Sequence, residues 1–166
     1  MKELWDLYGA DRAPLGRAHV RGEALPEGCF HLVVHVWIRN SRGQYLISQR
    51  AAGRSAFPLM WETTGGSVLA GEDSLAGALR EAREELGVTL EPDQGRLAFS
   101  RVRDGVKGVR FGDILDVWEF RFDGEADLSA ADGEVAQARW MERGEIARLL
   151  AEGQMVETLE YFLEGI

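Results

Sequence analysis

Between Gly66 and Val88 the chain reads GSVLAGEDSLAGALREAREELGV, and this stretch constrains the fold more than any other. Asp73 or Ser74 is suited to cap a helix N-terminus, and Gly87 is the expected left-handed stop residue. At about 100° per residue, Leu75, Leu79, Ala82 and Leu86 fall on one narrow face that predicts packing on a core. Glu81, Glu84 and Glu85 fall on roughly the opposite side at i, i+3, i+4. Like charges at that spacing repel by a few tenths of a kcal/mol per pair, about 0.2–0.5. Folding asks for no such arrangement, whereas a hard divalent cation reverses its sign. Clustered carboxylate oxygens suit Mg²⁺, with Mn²⁺ as the alternative, and Mg²⁺ usually keeps waters or takes substrate phosphates as its remaining ligands. The competing reading is a solvated acidic helix face.

Composition bounds the remainder. The 166 residues suffice for one well-buried domain spanning 1–166, and an apolar fraction of 45% is ordinary for a globular chain. A formal charge of −9 argues against general binding to nucleic acid polymers or to anionic membrane. It leaves room for a small phosphorylated substrate where a metal or arginine supplies local positive charge. Cys29 is the single cysteine, so no intrachain disulfide forms, which fits a reducing cytosol. The opening MKELWDLYG lacks a signal-peptide core and no apolar run is long enough to span a bilayer, so a cytoplasmic location is expected.

Along the chain, Leu4–Tyr8 and Arg17–Val20 predict a small hairpin within an N-terminal extension and connector at 1–28. The runs HLVVHVWIR (31–39) and QYLISQR (44–50) predict a second hairpin about the turn Asn40–Gly43. Met60–Thr64 leads into Gly65-Gly66, read as a sharp turn. Further strands are expected at 96–103, 114–122 and 135–140, the first two joined through a segment carrying Gly105, Gly108 and Gly112. An acidic loop at 123–133 and closing helices at 142–151 and 155–163 complete the chain. The fold class is α+β. His31 and His35 share a strand face ~13 Å apart, too far to chelate one ion together. Trp37 and Trp118 sit in strand patterns and are read as core. An exposed hairpin edge would serve a homodimer.

The 23 residues from Gly66 to Val88 resemble the signature of the Nudix hydrolases, G-x5-E-x7-R-E-U-x-E-E-x-G-U with U aliphatic. Only Ala82 departs, being smaller than the usual aliphatic. The resemblance implies a Nudix-type α/β/α sandwich with a mixed central β-sheet, and hydrolysis of a diphosphate joined to another group X. By position it implies Glu81, Glu84 and Glu85 as metal ligands, joined by the carbonyl of Gly66, with Glu72 and Arg80 as a bracing ion pair. It also implies Arg50, Gly65 and Gly66 as contacts to substrate phosphates. The activating base stays open among Glu81, Asp113, Asp116 and Glu134, of which Glu134 precedes a strand at a place that often approaches the metal in this family.

CFHLVVHVWIRNSRGQYLISQRA and FPLMWETTGG further resemble the branch that contains isopentenyl-diphosphate isomerase. That chemistry needs a cysteine and a histidine just upstream of the helix, where this chain has Gly65 and Ser67, while Cys29 lies elsewhere. Hydrolysis is therefore the preferred expectation. The alternatives are an isomerase-like enzyme and a catalytically silent module that binds a nucleotide diphosphate.

Overall fold

The central strand of the main sheet is built on a long apolar run. A computed structural model of the chain describes residues 1–106 and 109–166, and places β3 at His31–Arg39 in the middle of a mixed sheet. Nearly continuous apolar character over HLVVHVWIR is what a strand covered on both faces requires. Leu32, Val34, Val36 and Ile38 enter one core layer and Trp37 the other. β3 runs parallel to β8 (Val109–Arg121) along its whole length, and antiparallel to the short β6 (Thr64–Ser67) over Val33–Val36. The outer strand β7 (Gly95–Val106) pairs antiparallel with β8.

β4 (Tyr45–Arg50) follows β3 through the Asn40 turn, where the Asn40 side chain accepts from the Arg42 and Gln44 amides. The expected hairpin pairs only beside its turn, Arg39 with Tyr45. β4 instead pairs with β5 (Trp61–Glu62) and β9 (Val135–Met141), because β6 takes the edge of β3 that the hairpin would have used. β7 and β8 extend through Gly105 and Gly112, which the sequence assigned to a connector; Gly108 lies outside the described residues.

Helix α1 (Ser74–Leu86) covers one face and α2 (Arg143–Ala151) the other. The Asp73 side chain caps α1 by accepting from the Ala76 amide at 2.8 Å, and Gly87 ends it at φ 64°. Its buried side differs from the expected stripe. Ala78, Ala82 and Leu86 are buried, joined by Ser74, Gly77 and Glu85, while Leu75 and Leu79 are only partly covered. Gly77 explains the rotation: a β-carbon there would stand 2.9 Å from Val68 Cγ2, so the bare backbone lets the helix lean onto the residue following β6. The final segment, Glu157–Glu164, is a 3₁₀ helix rather than an α-helix, and it seats Leu159, Tyr161 and Phe162 in the second core layer.

The N-terminal hairpin, β1 (Leu4–Tyr8) with β2 (Pro14–Val20), is a separate two-stranded sheet docked on the main one. Tyr8 and Phe30 exchange two backbone hydrogen bonds at 2.8 Å, and Trp5 stacks on His31 with ring centroids 3.8 Å apart. Arg12 makes two charge-assisted bonds, at 2.7 and 2.5 Å, to the fully buried carboxylate of Asp116. No helix among the described residues is long and apolar enough to cross a membrane.

Candidate active site

Gly65 and Gly66 lie in β6, an extended strand and not a turn, which corrects the sequence expectation. Their lack of a side chain has another cause. A β-carbon at Gly65 would overlap Val34 O and stand 3.1 Å from His35 Cα, so Gly65 is set by the closeness of two strand backbones. At Gly66 a β-carbon would overlap the Glu81 carboxyl group, with Cδ at 2.7 Å. One glycine serves the sheet and the other serves an acidic side chain.

Two box glutamates thus close on the same dipeptide. Glu85 is buried, and its Oε2 accepts from the Thr64 hydroxyl and from the Gly65 amide at 3.4 Å. Burial lifts its pKa well above the ordinary value, and the nearby Glu62 and Glu81 add to the shift. Glu81 lies over Gly66, and burial, with Glu84 and Glu134 adding to it, raises its pKa to about 6 against the pull of Arg80. Glu84 is the exposed member of the three.

Arg80 organises the acidic side. Its Nε and Nη2 donate to the two oxygens of Glu72 at 2.8 and 3.1 Å, and Nη2 also donates to the Ser67 carbonyl at 2.9 Å. Nη1 reaches Glu81 at 2.9 Å and Glu84 at 3.0 Å. Glu72 also accepts from the Leu69 amide at 3.0 Å, so the pair ties the loop before α1 to the helix itself.

These groups open onto a cleft of about 400 Å³, within the range of small-molecule sites. Glu81, Glu84, Glu85 and Glu134 line it together with Arg50, Gly65 and Gly66. Arg50 Nη1 donates to Glu62 at 2.8 Å and its Nε to the Ala56 carbonyl at 2.9 Å, while Arg54 pairs with Glu134 at 2.6 Å. Asp113 and Asp116 do not line this cleft. Asp113 is held bidentately by Arg103 at 2.7 Å, and Asp116 by Arg12 with a further bond from Ser100 at 2.6 Å. Their ion pairs brace the sheet. Trp37 is fully buried and gives its indole N–H to the Tyr161 hydroxyl at 2.9 Å; Trp118 gives its own to Ser74 at 2.8 Å. Cys29 is buried at the entry to β3, beneath the Arg17 guanidinium at 3.1 Å, and does not line the cleft.

Sequence reasoning passed over Arg54, Glu62, Arg21 and Glu3. No spacing links them to the box; only the packing of loop 51–58, β5 and the hairpin brings them to it.

Hard carboxylate oxygens, with no thiolate or imidazole among the cleft's lining, form a donor set that suits Mg²⁺ or Mn²⁺. The acidic oxygens currently meet Arg80 and Thr64, and no three acidic, histidine or cysteine side chains among the described residues are grouped closely enough to hold an ion as they stand. Accommodating a cation therefore means exchanging Arg80 contacts of Glu81 and Glu84 for metal contacts.

The three-layer fold, with an acidic, glycine-backed helix at its cleft, is shared with known proteins. The NUDIX domain family model matches residues 30–162. An uncharacterised Nudix hydrolase of Listeria monocytogenes is 36% identical over 157 residues, covering 93% of this chain and 88% of its own. A crystal structure of a Deinococcus radiodurans protein superposes with a TM-score of 0.73 at 26% identity, over 93% of this chain and 92% of that one. The isopentenyl-diphosphate Delta-isomerase of Shigella flexneri is 26% identical over 144 residues, covering 86% of this chain and 78% of its own. The chain belongs to the Nudix family.

Proposed function

We propose that this chain is a divalent-metal-dependent pyrophosphohydrolase that cleaves the diphosphate bond of a nucleoside diphosphate linked to another moiety. The observation that carries this reading is the convergence of Glu81 and Glu85 on Gly65-Gly66, within a cleft that also presents Arg50. Glu81, Glu84 and Glu85, with the Gly66 carbonyl, are the groups that would hold the ion, Mg²⁺ or Mn²⁺. A bound divalent cation supplies neutralisation of the charge that builds on phosphoryl oxygens during transfer.

The chain's own residues do the remainder. Arg50 is held in the cleft by Glu62 and Ala56, a fixed guanidinium that suits a substrate phosphate. Water oxygen forms a bond to phosphorus, the bridging P–O bond breaks, and its electrons leave with the departing phosphate oxygen. The water proton passes to a carboxylate. Glu81 suits that task by position, because its carboxyl lies over Gly66 inside the cleft, and burial there makes it a stronger base than an ordinary glutamate. Glu134 also lines the cleft, and its pairing with Arg54 favours a role in positioning over one in proton transfer.

The isomerase reading finds less support. Gly65 and Ser67 stand where that chemistry needs thiol and imidazole, and Cys29 sits outside the cleft. The full set of box glutamates, Glu81, Glu84 and Glu85, favours turnover over silent binding. The test is release of phosphate or nucleotide from ADP-ribose, sugar nucleotides, dinucleoside polyphosphates, nucleoside triphosphates and isopentenyl diphosphate, with and without Mg²⁺. Metal-dependent release is expected from at least one nucleotide; turnover of isopentenyl diphosphate alone, or of nothing, overturns the reading.

A further inference from the structure

The N-terminal hairpin sits outside the family's matched residues, which begin at 30, yet it reaches the cleft. Its seat is specific. The Leu4 carbonyl accepts from the Ala70 amide and Asp6 Oδ2 from the Gly71 amide, each at 2.8 Å, so β1 grips the loop that leads into α1. Arg12 on Asp116 pins the far end of the hairpin to β8. At the open end of the hairpin, one residue beyond the Leu4 anchor, the residue following β2, Arg21, and its neighbour across the hairpin, Glu3, form part of the cleft wall.

Three arginines outside the box helix line the cleft, and each is engaged by a carboxylate. Arg50 pairs with Glu62, with side chains 14% and 17% exposed; Arg54 pairs with Glu134, at 30% and 38%; Arg21 pairs with Glu3, at 54% and 47%. An incoming oxyanion must compete with these partners. A half-exposed pair contributes only about 0–1 kcal/mol, while a guanidinium can bind a phosphoryl group through two parallel charge-assisted bonds. Of the three, Arg21 is released at the least cost. Its hairpin is nonetheless fixed, so its backbone position is already set before any ligand arrives.

We propose that Arg21 forms an anion subsite of the cleft, binding a phosphoryl group of the substrate's diphosphate, with Glu3 as the carboxylate that the phosphate displaces. The inference rests on the hydrolase reading for the identity of the ligand, but its test does not require turnover. Arg21 is a substrate-binding residue contributed by a chain extension, which makes the hairpin a part of the site.

The experiment is calorimetric titration of the 166-residue chain with imidodiphosphate, a non-hydrolysable diphosphate, in excess Mg²⁺, for wild type, Arg21→Gln and Glu3→Gln. Arg21→Gln is expected to weaken binding about tenfold, the loss of one charge-assisted contact. Glu3→Gln is expected to bind as tightly as wild type or up to a few-fold tighter, because the competitor has been neutralised. If the pair merely clips the hairpin together, the two variants change affinity alike, and the proposal is wrong. It is equally overturned if Arg21→Gln binds within twofold of wild type, or if wild type does not bind the probe at all. Thermal unfolding of the three proteins, with midpoints expected within a few degrees, separates a binding defect from misfolding. Binding that depends on Arg21 in a chain that hydrolyses nothing would sink the hydrolase reading and keep the subsite; hydrolysis with unaltered affinity in Arg21→Gln would do the opposite.

Discussion

Gly66 and Glu81 occupy one space: the glycine leaves open the volume in which the glutamate carboxyl lies, and a β-carbon would stand 2.7 Å from Glu81 Cδ. Because the obstacle is the end of a side chain, Gly66→Ala should leave the fold intact and push the carboxyl aside. A displacement of about 1 Å at a reacting group costs on the order of 100-fold in rate. Gly65→Ala meets backbone instead, at Val34 O and His35 Cα. Overpacking of that kind costs about 1–3 kcal/mol, so its unfolding midpoint should fall by several degrees. Melting curves and kcat measured on both variants check the contrast; a Gly66→Ala enzyme with full kcat would remove Glu81 from the reacting centre.

Glu84 and Glu85 differ in burial but are assigned one task. Glu84→Gln and Glu85→Gln should each lower kcat by on the order of 10³-fold, since a ligand charge is lost where transition-state charge develops. Chelation with EDTA should abolish turnover in wild type, and added Mg²⁺ should restore it. Glu85 accepts from Thr64 and Gly65, and an amide oxygen can accept the same bonds, so Glu85→Gln should remain folded. Retained activity in either variant, measured beside its circular dichroism spectrum, would refute the ligand assignment.

Glu81 links activity to pH with a definite sign. Its folded pKa of about 6 exceeds the ordinary glutamate value of 4.5. Between those values the folded protein holds more protons than the unfolded chain, so stability falls as pH rises through that window. The ionised form costs on the order of 1–2 kcal/mol above pH 6. Glu81→Gln should therefore raise the unfolding midpoint of the metal-free protein at pH 8, with the two proteins converging as pH falls toward 4.5. Activity runs the other way: a carboxylate base must be ionised to accept the proton, so kcat should climb from acid to neutral pH and stay high on the alkaline side. A wild-type optimum at acid pH would contradict a carboxylate base.

How much of this was readable beforehand depends on the range of the forces involved. The bounds of β3 and the caps of α1 follow from local chemistry, an unbroken apolar run in the first case and Asp73 with Gly87 in the second. The α/β/α layering followed from the box resemblance. Gly65-Gly66 looked like a turn because glycine pairs usually punctuate, and the reason for them, contact with Val34 and Glu81, lies 31 and 15 residues away along the chain. The rotation of α1 came from Gly77 meeting Val68, which periodicity weighs as a neutral position. Asp113 and Asp116 are open candidates for the base by sequence, with a structural role favoured by their spacing, and Arg103 and Arg12 engage them in that structural role. Arg12, Arg21 and Arg54 have no local signature, since each acquires its role only when a separate element docks.

The Arg12–Asp116 pair decides how firmly the hairpin is held. Asp116 has no exposed side-chain surface, and its carboxylate rests on Arg12, at 2.7 and 2.5 Å, and on Ser100 at 2.6 Å. Burial alone would raise its pKa, but Arg12, Ser100 and Ser74 outweigh burial and bring it below the ordinary aspartate value. That contribution is present above the unfolded pKa, near 3.9, and is lost as pH drops through the lower folded value. Arg12→Met leaves a buried charge without its partner, a change that costs about 3–5 kcal/mol when both groups are buried and less here, where Arg12 is 41% exposed. The loss should concentrate in the hairpin: amide exchange should quicken at Tyr8 and Ala70, whose N–H groups hydrogen-bond across the hairpin's docking contacts, ahead of β3 and β8. Asp116→Asn with Arg12→Met should recover part of the stability, because the uncompensated charge is gone. Uniform exchange across the whole sheet in Arg12→Met would mean that the hairpin and the main sheet open as one unit, and that this ion pair is not the hairpin's separate anchor.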